Sequence, residues 1–352
     1  MDIALLVIII IFLISLKPDV NRGQSVYLNH SVTKTINGLF ILLVVFSHFM
    51  TYVPFDTQYA ALTNLWMACK GELIVTTFLF FSGFGIMEQL KKRGPGYINT
   101  FPVKRILFVW IKFIVAVTIF LLLGRLLGWH HSLQRVILAY FGLATVGNSG
   151  WYVFAILLMY ILTYTMFKLF KNRHVAAIGG VLVGCLVYIA LASGKLPDFY
   201  YETILCYVAG LYYSEKQATI YSFINQSWQH YLGVFGAMLI LFVTTYFGCY
   251  LSAGTIHYVF YQIAAVAFVV LFVLLAMKVR FQNRLLAYLG GPALFSIYML
   301  QRIPMAVGQR TVLVNDPLTY FLVVISSTVI LGWGFDLAVD HVLRKIMHKS
   351  WN

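Results

Sequence analysis

The stretch Asn37-Gly38-Leu39-Phe40-Ile41-Leu42-Leu43-Val44-Val45-Phe46-Ser47-His48-Phe49 carries an apolar run up to a histidine near its far end. A run of this kind suits a membrane-crossing helix, and an ionisable side chain inside such a helix is costly. Such groups persist where they face a protein interior, a cavity or a reacting ligand. His48 is therefore the first candidate for chemistry.

Composition extends the membrane reading to the whole chain. Of 352 residues 61% are hydrophobic and 10% charged, outside the range of ordinary soluble domains. Apolar runs of roughly 15 to 25 residues, the length a helix needs to cross hydrocarbon, recur between short polar or Gly/Pro-containing segments. They fall at 2–16, 35–53, 71–88, 105–127, 150–170, 175–193, 200–214, 231–251, 257–277, 287–306 and 317–341. The expected fold class is all-α, a polytopic membrane helix bundle of about 10 to 11 transmembrane helices. The first run lacks a basic start and a small-residue cleavage site, so it reads as a retained helix rather than a signal peptide.

Basic residues concentrate in alternate loops: Lys17, Arg22 and Lys34; Lys91, Lys92, Arg93, Lys104 and Arg105; Lys168, Lys171 and Arg173; Lys278, Arg280 and Arg284; and Arg344, Lys345 and Lys349. Such loops face the cytoplasm, which puts the amino terminus outside and the carboxyl terminus inside a cell (plasma) membrane. The intervening loops carry only scattered charges, among them Asp56, Lys70, Arg135, Lys195, Asp198, Arg310 and Asp316. The net charge of +14 is accounted for by orientation signals and contact with anionic membrane lipid, so nucleic-acid binding is rejected. Cys69, Cys185, Cys206 and Cys249 show no metal or disulfide spacing and read as packing residues.

With this topology, polar residues sort by depth. His48 lies about 11 residues, hence roughly 16 Å, along its helix from Asn37 and falls in the outer half of the bilayer. Glu72, Trp151, Tyr152 and Glu202 open their helices on the same side, and Gln301 and Arg302 close theirs there. One layer then holds a candidate base, carboxylates to orient it, an aromatic surface and a cation. Plainer readings stand beside this one: a membrane histidine also hydrogen-bonds neighbouring helices, Glu72, Glu202 and Arg302 also suit the water interface, and Trp151 and Tyr152 also suit an aromatic belt.

On the opposite face, the Gln89 to Arg105 loop sets Lys91, Lys92, Arg93, Lys104 and Arg105 around Gly94-Pro95-Gly96. Such a loop suits a phosphorylated cytosolic molecule, and orientation bias alone also supplies most of these cations. Asp336 and Asp340 are spaced to meet Arg344 at the next i,i+4 step, and Lys112 and Arg125 to snorkel from opposite ends of one span. Asn29-His30-Ser31 and Asn225-Gln226-Ser227 match the glycosylation pattern by chance, since both fall in expected cytoplasmic loops. His130-His131 lacks further ligands, and no metal is expected.

Four segments together resemble the membrane-bound acyltransferase-3 family from about residue 30 to 341. Asn37-Gly38 followed by His48 is similar to its opening helix, with Asn37 at the position of a basic residue. Val75 to Phe84, ending Ser82-Gly83-Phe84, resembles its aromatic run, and Arg105 and Phe108 stand where the family often has two arginines. Gly150-Trp151-Tyr152-Val153-Phe154 resembles its Trp-Tyr opening. Leu289 to Gln301 resembles its penultimate helix, with Gln301 at a position often held by histidine. Residues 31–341 would form the acyltransferase-3-like membrane domain, 1–30 an extra helix and linker, and 342–352 a basic cytoplasmic tail.

The resemblance implies transfer of an acyl group, usually acetyl from cytosolic acetyl-CoA, to a hydroxyl of an extracytoplasmic glycan. His48 would act as general base or transient acyl carrier, with Glu72 and then Glu202 as orienting carboxylates. Trp151, Tyr152, Gln301 and Arg302 would bind acceptor, with Arg302, Gln301 or Tyr152 as oxyanion donor. Asn37, Lys91, Lys92, Arg93, Lys104 and Arg105 would hold the donor. The rival expectation is a flippase or transporter of a sugar-linked or small polar substrate, against which stand the low charge in mid-span and the absence of an evident inverted repeat. Acceptor, acyl length and oligomeric state stay open.

Overall fold

Most of the chain is helical in the computed structural model, which describes residues 1–19, 27–54 and 60–350, with side chains through Lys345. Arg22, Asp56 and the Lys349 side chain lie outside the described residues. The helices are α1 (Asp2–Ile14), α2 (His30–Phe49), α3 (Ala61–Cys69), α4 (Thr76–Arg93), α5 (Gly96–Phe101), α6 (Phe108–Leu126), α7 (Leu133–Tyr140), α8 (Trp151–Phe170) and α9 (His174–Ala192). They continue with α10 (Leu205–Glu215), α11 (Gln217–Ile224), α12 (Trp228–Leu251), α13 (Gly254–Lys278), α14 (Arg284–Leu289), α15 (Leu294–Leu300), α16 (Arg302–Gly308) and α17 (Pro317–Ser350). Two three-residue strands, β1 (Leu16–Pro18) and β2 (Val279–Phe281), pair antiparallel with Leu16 opposite Phe281.

Among the described residues, 8 helical segments are long and apolar enough to cross a membrane, and the chain is an all-α, multi-pass membrane helix bundle. Three of the eleven expected runs differ from the rest. Residues 2–16 form a 13-residue helix, about 20 Å long against a hydrocarbon thickness of about 30 Å. Residues 200–214 give an 11-residue helix after a turn. Residues 287–306 break into α14, α15 and α16, because Gly290-Gly291-Pro292 removes a backbone donor and side-chain support where a helix would continue.

Local chemistry explains several element boundaries. Asn29 caps α2, its Oδ1 accepting from the amides of Ser31 and Val32 at 3.1 and 3.0 Å. Its glycosylation-like triplet is thus a helix start, and Ser227 does the same for α12. The carboxylate of Asp2 accepts from the Leu62 and Thr63 amides and the Thr63 hydroxyl at 2.6 to 3.1 Å, capping α3 from a distance. Asp19 pairs with Arg280 at 2.6 Å beside the β1–β2 ribbon, so both ends of the first 19 residues are tied to the bundle.

The α2 helix occupies the centre, with an unbroken buried run from Asn37 to Ser47. Its backbone meets α14 directly: a Cβ on Gly38 would stand 1.9 Å from the Leu286 carbonyl oxygen, and one on Gly290 would stand 2.0 Å from the Gly38 nitrogen. The same device joins α4 to α10, where a Cβ on Gly83 or Gly210 would fall 2.2 Å from Tyr207 O or 2.0 Å from Phe80 O. Close approach through small residues replaces the hydrophobic drive that lipid does not supply. A charged contact links α6 to α17: Lys112 Nζ reaches Asp336 at 2.8 Å and Asp340 at 2.7 Å. Lys112 therefore does not snorkel, and these aspartates pair across helices with Lys112, because α17 packs its acidic face where that ammonium lacks water.

Gly38→Ala forces backbone apart and is expected to destabilise the protein by about 3 kcal/mol, the upper part of the overpacking range. Gly179→Ala, whose added Cβ meets nothing within 4 Å, should leave the thermal unfolding midpoint in detergent unchanged or higher.

Candidate functional site

The end of α2 brings His48 to the wall of a cavity of about 480 Å³. The chain leaves α2, returns through α3 and turns at Lys70-Gly71-Glu72 into Leu73–Arg93. Gly71 adopts φ +43, a left-handed conformation that favours glycine. This turn aims Lys70 and Glu72 into the same cavity as His48. The loop before α8 adds Asn148 and Ser149, the start of α8 adds Trp151, α7 adds Arg135, and the start of α16 adds Arg302.

Each of these polar groups has a definite setting. Tyr261 of α13 holds the turn: its hydroxyl accepts from the Glu72 amide at 2.7 Å and donates to Glu72 Oε2 at 3.3 Å. Burial pushes the Glu72 carboxyl above the usual carboxylate range and draws the Lys70 ammonium below its ordinary value. Arg302 Nε donates to Ser149 Oγ at 2.7 Å, and Arg135 Nε to the Thr145 carbonyl at 2.8 Å. Glu72 is not hydrogen-bonded to His48. The polar side chain against His48 is Gln301, with Arg302 and Lys70 as the charges acting on it. His48 Nδ1 and Gln301 Oε1 are both buried, and neither has a hydrogen-bond partner among the described residues.

A second cavity of about 900 Å³ lies in the other half of the bundle, between the start of α2 and the end of α4. Both volumes fall within the roughly 300 to 1,000 Å³ typical of ligand sites. Asn37, Lys92 and Arg105 line it, together with Gln89, Tyr152 and Tyr160. Arg105 sits in a widened, π-helical turn at Pro102–Leu107 and its Nε donates to Tyr97 Oη at 3.2 Å. Tyr298 lines both cavities, and its ring lies 5.2 Å from that of Tyr152, which in turn contacts Phe78 at 6.1 Å.

The thirteen expected site residues divide accordingly. His48, Glu72, Trp151 and Arg302 share the first cavity; Asn37, Lys92, Arg105 and Tyr152 line the second. Gln301 is fully buried beside His48, its amide nitrogen donating to the Tyr298 carbonyl at 3.1 Å. Glu202 lies behind the first cavity and pairs with His257 Nε2 at 3.2 Å. Burial and the nearby Glu72 and Asp198 carboxylates raise its pKa. Lys91 bonds the Ser214 carbonyl at 2.7 Å and pairs with Glu88, Arg93 lies over Tyr97, and Lys104 is exposed, so these three are not part of the second cavity's lining.

Four contributors were not singled out by sequence: Lys70, Arg135, Tyr261 and Tyr298. The first two read as scattered loop charges, and the two tyrosines as ordinary members of apolar spans; none carries a local signal.

The acyltransferase domain family matches residues 35–337. The chain belongs to the acyltransferase-3 family. It is thus a membrane protein of an acyltransferase family, and the matched region begins in α2 and ends in α17, enclosing the first cavity and every expected site residue, while the second cavity also takes lining from Leu28 to Lys34 ahead of it. No curated protein and no solved structure matches the chain. Within this acyltransferase domain, Tyr261→Phe removes the hydroxyl that fixes the Lys70–Glu72 turn. Loss of one such bond, about 1 kcal/mol, should accelerate hydrogen exchange at the Glu72 amide roughly fivefold while α4 amides such as Phe80 stay protected.

Proposed function

We propose that this chain transfers an acetyl group from cytosolic acetyl-CoA to a hydroxyl of an extracytoplasmic glycan, with His48 as the general base. The observation that carries the reading is the pair of cavities in opposite halves of one membrane bundle, both lined by Tyr298. Charge bias in the loops assigns the Arg105 half to the cytoplasm and the His48 half to the outside. Lys92 and Arg105 would bind coenzyme A phosphates by charge-assisted hydrogen bonds, and the acylated arm would reach the Tyr298 boundary.

At the outer cavity, a hydrogen bond from His48 Nδ1–H to Gln301 Oε1 would satisfy two buried groups that otherwise have no partner among the described residues, and would leave Nε2 as the lone-pair nitrogen. Nε2 takes the proton of the acceptor hydroxyl as its oxygen attacks the thioester carbonyl. Arg302 stabilises the developing oxyanion, the C–S bond breaks, and the thiolate leaves and takes the proton from the imidazolium. In the covalent variant the imidazole carries the acetyl group between the two transfers. Glu72 positions the acceptor from the opposite wall, and Trp151 offers a face for a sugar ring. Glu202 acts further back, through His257.

Membranes containing the chain, supplied with radiolabelled acetyl-CoA and cell-envelope glycan, should label the glycan. His48→Ala should lower the rate by about 100-fold or more, the share typical of a positioned base. Transfer undiminished in a folded His48→Ala protein overturns the role of His48. Lys92→Gln and Arg105→Gln should each weaken coenzyme A binding by about tenfold, read by calorimetry in detergent.

A further inference from the structure

The polar lining of the His48 cavity is strongly one-sided in charge. Lys70, Arg135 and Arg302 face it, against the single carboxylate of Glu72. These cations reach the cavity from three separate parts of the chain: the turn before α4, the short helix α7 and the start of α16. Orientation bias does not explain them, because it enriches cations on the other side of the bilayer.

Their bonding leaves them available. Among the described residues none of the three stands within 4 Å of a carboxylate oxygen, whereas Lys112, Lys91 and Arg280 all do. Among the described residues Arg135 and Arg302 each spend Nε on a neutral oxygen, which helps fix the guanidinium plane, and neither uses a terminal NH2 group in a hydrogen bond, while the Arg302 guanidinium also lies 6.0 Å from the centre of the Tyr52 ring. A planar fork held in this way suits two oxygens of a phosphate or carboxylate. Asn148, also in the lining and 5% exposed, keeps Nδ2 without a partner, adding a donor and no charge. Burial favours the neutral form of Glu72, which reduces the one opposing charge, and it penalises the Lys70 ammonium, which an incoming anion would restore.

Resting on the acyltransferase reading above, we infer that the acceptor is an anionic glycan, whose phosphodiester or carboxylate group docks on Arg135, Arg302 and Lys70 while its hydroxyl reaches His48. The aromatic side fits the sugar: Trp151 and Phe199 lie 5.6 Å apart, Phe199 and Tyr200 stack at 5.2 Å, and all three line the same cavity. A neutral sugar would leave the half-buried Lys70 and Arg302 without a counter-charge and forfeit the charge-assisted bonds that these two and the exposed Arg135 can make at the cavity mouth. A phospholipid headgroup offers the same anion, and the test separates the two sources.

The test uses the full chain in nanodiscs of phosphatidylcholine, with binding read by microscale thermophoresis. The probes are a synthetic trisaccharide bearing one phosphodiester and the same trisaccharide without it. The charged probe should bind at least about tenfold more tightly, the worth of one charge-assisted hydrogen bond, and the advantage should shrink with added salt. In Arg135→Gln it should fall to about twofold, with the affinity for the neutral probe unchanged. Equal affinities in the wild type, or a preference that survives Arg135→Gln with Lys70→Gln, overturn the inference. Discs containing phosphatidylglycerol should bind the charged probe equally well; competition by that lipid assigns the anion site to a headgroup and also overturns it. Acetyl transfer is read separately: transfer to both trisaccharides at equal affinity removes only the anionic preference, whereas tight binding of the charged probe with no transfer to either removes the acyltransferase reading instead.

Discussion

The direct backbone contact between α2 and α14, through Gly38 and Gly290, is the constraint on which the site depends. Helices in lipid gain little from hiding apolar side chains from one another, so their association rests on close packing. A Cβ at either glycine would collide with main-chain atoms at 1.9 to 2.0 Å, which no rotamer change relieves. This contact fixes the depth of α2 relative to α14, and α15 follows within a few residues. His48 on α2 and Gln301 just beyond α15 then meet at a single depth. The matching crossing of α4 and α10 through Gly83 and Gly210 sets the height of Leu73–Arg93, and with it the Lys70–Glu72 turn.

Around that frame, polar groups are satisfied in two distinct ways. Away from the cavities the charged groups are paired in several places: Lys112 with two aspartates, Glu202 with His257, and Asp2 with the amide end of α3. Inside the cavities they are held by one bond and left with spare capacity, as with Arg302, Arg135 and Asn148. Desolvated polar groups without partners are costly, and four of those among the described residues, Asn37, His48, Asn148 and Tyr298, line the cavities. Breaking the 287–306 span contributes to this. Three short helices separated by Gly290-Gly291-Pro292 and Gln301 let one segment line the Arg105 cavity with its glycines, reach both cavities with Tyr298 and enter the His48 cavity with Arg302.

Much of the fold was legible because its signals are local. Hydrophobic runs of span length marked eight long helices, and Asn37-Gly38 with His48, Ser82-Gly83-Phe84 and Trp151-Tyr152 marked the family. The candidate site was legible only in part. Trp151 and Tyr152 are neighbours in sequence and read as one surface, yet they line different cavities, because adjacent residues at a helix start point about 100° apart. Lys91, Arg93 and Lys104 read as equals of Lys92 and Arg105, but helix direction sends the first three to Ser214, Tyr97 and the exposed surface.

By itself the sequence determined the membrane class, the helical architecture and the histidine at the end of α2, since each follows from composition, period or spacing within one segment, and it marked the family through the resemblance of four segments taken together. Only the tertiary structure decided that Lys70, Arg135 and Arg302 line one cavity with that histidine, that Tyr261 clamps the turn carrying Glu72, and that Tyr298 lines both cavities. Those facts depend on which helix backbones approach and at what depth. Glycine contacts between distant segments set that register, and no local pattern in the chain encodes it.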